Sequence, residues 1–188
     1  MAVGPVLQPN QPEGDLASNA LKIAFGAYLI LLNLALLYLL FKVWPGKVPS
    51  ADDDVLVSLL WEKISFSLSL EKRYLVIVML SGALGSYIHT ATSFADFVGN
   101  RRLCVSWTWW YALRPFIGTT LATVVYFAVR GGLISGGTGA GNLSPYGVAA
   151  IAGLAGMFSK QATDKLREVF ETLFKTDQAP PRSDGLAP

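Results

Sequence analysis

The chain has 188 residues, of which 52% are hydrophobic and 15% charged, and its formal net charge at pH 7 is +2. Soluble domains carry about 25% charged residues, so this apolar excess predicts membrane helices in place of a water-soluble core. The cations cluster at the ends of apolar runs, which indicates membrane flanks and excludes a nucleic-acid-binding face. One cysteine and one histidine exclude an internal disulfide and a multi-histidine metal site, and neither a metal nor a cofactor is expected.

The first part of the chain predicts a tail followed by a membrane anchor. Residues 1–19 are rich in proline, glycine and polar residues, which is typical of a disordered tail. An apolar run over 20–44, stopped by Pro45 and Gly46, predicts the first transmembrane helix. No charged region precedes this run and no small-residue cleavage site follows it, so we interpret it as a retained anchor and not as a signal peptide.

Residues 45–72 are too short and too polar to span a bilayer. The acidic run 52–54 is typical of a helix N-cap, and the apolar stripe after it predicts an interfacial helix. The alternation of serine with Phe66, Leu68 and Leu70 leaves either a short strand or a turn leading to the next helix open for the end of this segment.

Two long apolar runs follow. They predict a second transmembrane helix over 73–98 and a third over 107–130. Trp107, Trp109 and Trp110 predict an aromatic belt where the third helix meets the membrane surface. Pro115 lies inside this helix and should bend it.

The C-terminal part predicts a Gly-rich loop over 131–144, a short fourth transmembrane helix over 145–160, an amphipathic helix over 161–176 and a disordered tail over 177–188. The Gly run 136–141 lacks the lysine and the strand of a phosphate-binding loop, so we interpret it as a flexible connection. The amphipathic helix either binds a partner or self-associates as a short coiled coil, or it lies on the inner membrane surface or against the bundle. The predicted fold class is all-α: a polytopic membrane bundle of four transmembrane helices, with an interfacial helix after the first and an amphipathic C-terminal helix.

Small residues recur at four-residue spacing in the last three apolar runs. Such pairs allow the backbones of two helices to approach closely in lipid, where packing replaces the hydrophobic effect as the driving force. The candidate helix-packing residues are Ser81, Gly82, Gly85, Ser86, Gly118, Ala122, Ala149, Gly153 and Gly156.

His89, Asp96 and Arg114 form a candidate polar cluster, because ionisable groups within membrane helices are costly and often functional. If the second and third helices form a hairpin that closes near 101–106, Asp96 and Arg114 lie at similar depth and can pair. The structural interpretation is a buried ion pair that fixes helix register. The functional interpretation is a polar path for ions or protons.

A series of short motifs runs through the chain from Ser81 onward. They comprise 82–86 with His89, Ser93 and Phe94, 98–101, 113–118, Tyr126 and Phe127, 130–132, 156–159 and 165–170. Together they make this part of the chain resemble a family of uncharacterised bacterial membrane proteins. The resemblance implies a bacterial membrane module without an assigned activity, sometimes preceded by extracellular domains before the second helix. That placement favours residues 45–72 outside and both termini in the cytoplasm, although Lys and Arg are nearly balanced between the two sides.

No catalytic set is evident: the sequence has no nucleophile elbow and no pair of intramembrane acids. We therefore expect a non-enzymatic protein of the bacterial inner membrane that self-associates or scaffolds through its small-residue helix faces. The alternative is an oligomeric ion channel or small-solute transporter that uses His89, Asp96 and Arg114. A membrane enzyme is the third class. The expected partners are the lipid bilayer and either further copies of the chain or another membrane protein, and no nucleic acid.

Overall fold

The computed structural model describes residues 15–45, 55–59, 64–133 and 144–173. The regular secondary structure within these ranges consists of five α-helices and one pair of antiparallel β-strands. The elements in chain order are α1 (Asn19–Val43), β1 (Val55–Leu59), β2 (Ile64–Leu68), α2 (Leu70–Gly99), α3 (Trp107–Arg130), α4 (Pro145–Met157) and α5 (Ser159–Leu173).

Three helices, α1, α2 and α3, are long and apolar enough to cross a membrane. α4 has 13 residues and rises about 20 Å, which is less than the roughly 30 Å of a hydrocarbon core. The described residues therefore provide three candidate spans and one short apolar helix, where the sequence predicts four spans.

The helix ends follow from local sequence signals. The side chain of Ser18 accepts a hydrogen bond from the N–H of Leu21 and so caps α1. Ser144 caps α4 in the same way, with Pro145 as the first helical residue. Phe158 alone separates α4 from α5, so the predicted fourth membrane helix ends three residues earlier than expected and the amphipathic helix begins two residues earlier.

The prediction of an interfacial helix within 45–72 is wrong for the part that the structure describes. Strands β1 and β2 pair antiparallel there, with Val55 opposite Leu68 and Leu59 opposite Ile64. The β-branched residues of both strands favour extended backbone, and the short apolar run fits a strand as well as it fits a helix. The strand alternative for the end of the segment is confirmed by β2.

Residues 15–18, assigned from the sequence to a disordered tail, instead pair with the connection between α2 and α3. The N–H of Ala17 donates to the carbonyl of Leu103 at 2.8 Å, and the N–H of Val105 donates to the carbonyl of Asp15 at 3.0 Å. This short antiparallel contact fixes the start of α1 at the same end of the bundle as the α2–α3 turn. The rest of both predicted tails and most of the predicted Gly-rich loop lie outside the described residues.

Helix α2 is the centre of the bundle and contacts α1, α3 and α4. A buried apolar cluster joins Val78 of α2 to Ala122 of α3 and to Val148 and Ala152 of α4. α3 runs antiparallel to α2 and α4 runs parallel to it, since residues further along α4 contact residues further along α2. The chain therefore passes up and down through one compact core, and α1 lies against the side of α2.

Candidate functional site

The closest contact between α2 and α3 is made by glycine and other small residues. A Cβ atom added to Gly82 would lie 2.7 Å from the carbonyl oxygen of Gly118 and would collide with the Cβ of Ala122. A Cβ added to Gly118 would in turn collide with Ser86. Because real side chains do not approach this closely, glycine is required at both positions for the observed separation of the two helices.

The contact between α2 and α4 is equally close. A Cβ added to Gly85 would collide with the carbonyl of Gly153, and one added to Gly156 would collide with the carbonyl of Gly82. Ala149 is half-buried beside the cluster of Val43 and Ile77. The small residues of α2, α3 and α4 thus meet each other within a single chain.

Two hydroxyl groups in this core donate hydrogen bonds to backbone carbonyls. The Ser86 hydroxyl donates to the carbonyl of Arg114 across the α2–α3 contact at 2.7 Å. The Thr90 hydroxyl donates at 2.8 Å to the carbonyl of Ser86 on its own helix. Both hydroxyls are buried, and an unpaired polar group in an apolar environment costs roughly 2–7 kcal/mol. The Ser86 bond therefore stabilises the contact between α2 and α3, whereas the Thr90 bond satisfies its hydroxyl within α2.

The three residues of the candidate polar cluster do not form one cluster, and the predicted pairing of Asp96 with Arg114 is wrong. The guanidinium of Arg114 lies over the ring of Trp110, 5.2 Å from its centroid. The carboxylate of Asp96 accepts a hydrogen bond from the side chain of Asn100 at 2.9 Å. His89 is exposed and close enough to Arg114 for an electrostatic interaction.

The register of the α2–α3 hairpin explains this outcome. Ser86 binds the carbonyl of Arg114, and Phe97 stacks on Trp107 near the turn. Arg114 is therefore level with Ser86, and Asp96 lies ten residues, or about 15 Å, further along α2. The cation of Arg114 points towards the aromatic belt, as expected for a side chain that reaches the membrane surface.

Arg73 is a polar contact that sequence reasoning missed. Its Nε–H donates to the carbonyl of Val43 at 2.7 Å, and the residue is only 7% exposed. The guanidinium therefore donates to a carbonyl at the C-terminal end of α1, where the helix dipole also favours a positive charge. In the sequence Arg73 looks like a membrane-flanking charge, and only the paired helix ends reveal its partner.

A second feature missing from the sequence prediction is a groove of about 660 Å³ between α3 and the first turns of α5. The α3 wall is apolar except for one threonine, and the α5 wall is polar. The lining residues are Leu113, Phe116, Ile117, Thr120, Leu121 and Val124 on α3, and Ser159, Lys160, Thr163 and Asp164 on α5.

Among the described residues, no three His, Cys, Asp or Glu side chains lie close enough together to hold a metal ion. Comparison of the chain with protein-family models, with curated proteins and with solved structures gives no match. The close three-helix contact, the dispersed polar residues and the α3–α5 groove are therefore the features from which a function is inferred.

Proposed function

We propose that the chain is a non-enzymatic integral membrane protein that acts as a scaffold in the bacterial inner membrane. In this proposal α2, α3 and α4 form a rigid core, and the outer helix faces contact neighbouring chains, either further copies or another membrane protein. α4 together with the first residues of α5 completes a fourth crossing, and both termini lie on the cytoplasmic side.

The observation that carries this proposal is the closed contact among α2, α3 and α4. Backbone meets backbone at Gly82, Gly85 and Gly118, which leaves no room between these helices for a hydrated ion. A cavity of about 10 Å³ beside this contact has room for about one water molecule. Its walls are almost wholly apolar, with Ala122 and Val148 among them.

The same contact changes how self-association is expected to work. Small residues that pack inside one chain are not available to a second copy, so an assembly would use outward faces. α1 offers such a face, because its large apolar side chains are mostly exposed; examples are Ile23, Leu31 and Phe41. In a membrane this face contacts either lipid or a neighbouring protein.

Two measurements on the full chain test the proposal. Cross-linking in native membranes followed by native mass spectrometry should recover the chain with a second copy or with another membrane protein. A strictly monomeric protein without a cross-linked neighbour would contradict the scaffold role.

The second measurement is flux of ions and small solutes through liposomes that contain the purified protein. We expect the same flux as in protein-free liposomes. A flux that falls in His89→Ala and Arg114→Gln variants, but not in an Asn100→Ala control, would favour the channel or transporter alternative instead.

A further inference from the structure

The groove between α3 and α5 combines an apolar wall with a charged edge. The α3 wall is formed by outward-facing side chains such as Phe116, which is 67% exposed, and Leu121. The volume of about 660 Å³ falls within the roughly 300–1,000 Å³ that is usual for small-molecule sites. The apolar wall suits an acyl chain, and the charged edge suits a polar group at one end of the same molecule.

The charged edge lies close to the level of the tryptophans at the start of α3. A Cβ added to Gly85 would lie 3.0 Å from the backbone nitrogen of Met157, so α4 ends beside the middle of α2. The carbonyl of Arg114 bonds to Ser86, one residue away. The start of α5 is therefore nearly level with Arg114, about one helical turn inside the tryptophan belt that marks the membrane surface.

Lys160 and Asp164 supply opposite charges at this edge. They are four residues apart, so they lie on the same face of α5. Neither takes part in the ion pairs formed among the described residues. On the same helix, by contrast, Lys165 pairs with Glu168 and Arg167 with Glu171, each at 2.8 Å.

We propose that this groove binds one phospholipid with an ethanolamine headgroup. The phosphate accepts from the ammonium of Lys160 and from the hydroxyl of Ser159, since the hydroxyl of Thr163 already donates to the carbonyl of Ser159 at 2.8 Å. The primary ammonium of the headgroup donates to the carboxylate of Asp164. One acyl chain lies along the α3 wall. An anionic headgroup without an ammonium, such as glycerol phosphate, leaves Asp164 facing a negative charge and is disfavoured.

Binding of a phospholipid in this groove requires that the bundle lie in a bilayer, but it does not depend on the proposed scaffold role. Failure of the lipid experiment would leave the cross-linking result untouched. The reverse also holds, since a monomeric protein can still retain a lipid.

Native mass spectrometry of the full chain, titrated with phosphatidylethanolamine and separately with phosphatidylglycerol, tests the proposal. We expect the first bound lipid to show roughly tenfold tighter binding for the ethanolamine headgroup, the effect of about one charge-assisted hydrogen bond. Asp164→Asn should abolish this preference, and Lys160→Gln should weaken binding of both lipids. Lys165→Gln, on the same helix but outside the groove, is the matched control and should leave both affinities unchanged.

A variant on the opposite wall makes the test independent of charge. Leu121→Trp fills the groove from α3 and should remove the first tight lipid while the oligomeric state and helical circular dichroism of the protein stay the same. Equal retention of the two lipids by the wild type would overturn the proposal. So would Asp164→Asn and Leu121→Trp variants that bind like the Lys165→Gln control.

Discussion

Substituting Gly85 by alanine should separate α2 from α4 and destabilise the bundle. The added methyl group would collide with the backbone carbonyl of Gly153 and would lie only 3.0 Å from the backbone nitrogen of Met157. Backbone atoms cannot move aside as a flexible side chain can, so the cost falls near the upper end of the overpacking range, about 3 kcal/mol. Alanine is favoured over glycine inside a helix by about 1 kcal/mol. The net loss in the free energy of unfolding is therefore about 2 kcal/mol.

The assay is denaturant titration of the purified protein in mixed micelles, followed by tryptophan fluorescence and circular dichroism. Gly99→Ala is the matched control, because it changes the same residue type in the same helix and a Cβ there meets nothing within 4 Å. We expect its stability to equal or slightly exceed that of the wild type. If Gly85→Ala is as stable as Gly99→Ala, the close approach of α2 and α4 described above is refuted.

Two predictions concern the ends of α1. Arg73→Met removes the buried Nε–H bond to the carbonyl of Val43 and should cost about 1.5–3 kcal/mol in the same titration. Arg73→Gln places an uncharged amide N–H where Nε stands, so it can keep this bond and should lose less; equal losses would show that the Nε–H bond is not the source. Ala17→Pro removes the N–H that donates to the carbonyl of Leu103 and should speed maleimide labelling of Cys104, the only cysteine, which is buried. An unchanged labelling rate would contradict the antiparallel contact at this end.

The long helices can be predicted from the sequence because their apolar runs are long. About 20 apolar residues in a row permit little other than a membrane helix, and the third predicted helix, 107–130, coincides with Trp107–Arg130. Residues 55–59 gave a weaker signal, because a run of five apolar and polar residues suits either a strand or a helix. The pairing with β2 decides in favour of the strand, and such a pairing cannot be read from residues 55–59 alone.

Contacts between helices are harder to predict from the sequence. The spacing of Gly82 and Ser86 predicts a close helix contact, but it is the same whether the second helix belongs to one chain or to another. The prediction that Arg114 and Asp96 lie at similar depth along the hairpin is wrong, because the carbonyl of Arg114 lies opposite Ser86. The α3–α5 groove has no signal in either segment alone, since each wall has an ordinary composition for its position.

The two kinds of helix contact in this molecule lead to different expectations for its stability. In lipid no hydrophobic driving force holds helices together, so close packing and hydrogen bonds must do so. α1 has no close glycine contact, because a Cβ on Gly26 would meet only the ring of Phe94, at 3.8 Å. Leu29 and Leu36 are buried in its middle. Its hydrogen bonds to the rest of the bundle lie near its ends, from Arg73 at one and through the backbone of Ala17 at the other.

It follows that the effects of the three substitutions should differ in kind as well as in size. Gly85→Ala weakens the core and should shift the single main unfolding transition. Arg73→Met and Ala17→Pro should release α1 from a core that stays folded, which predicts an early transition that precedes the loss of most helical signal. Because the two α1 contacts lie at opposite ends of a 25-residue helix, about 37 Å apart, their effects should add when the substitutions are combined. A single cooperative transition in all three variants would mean that α1 and the core unfold as one unit.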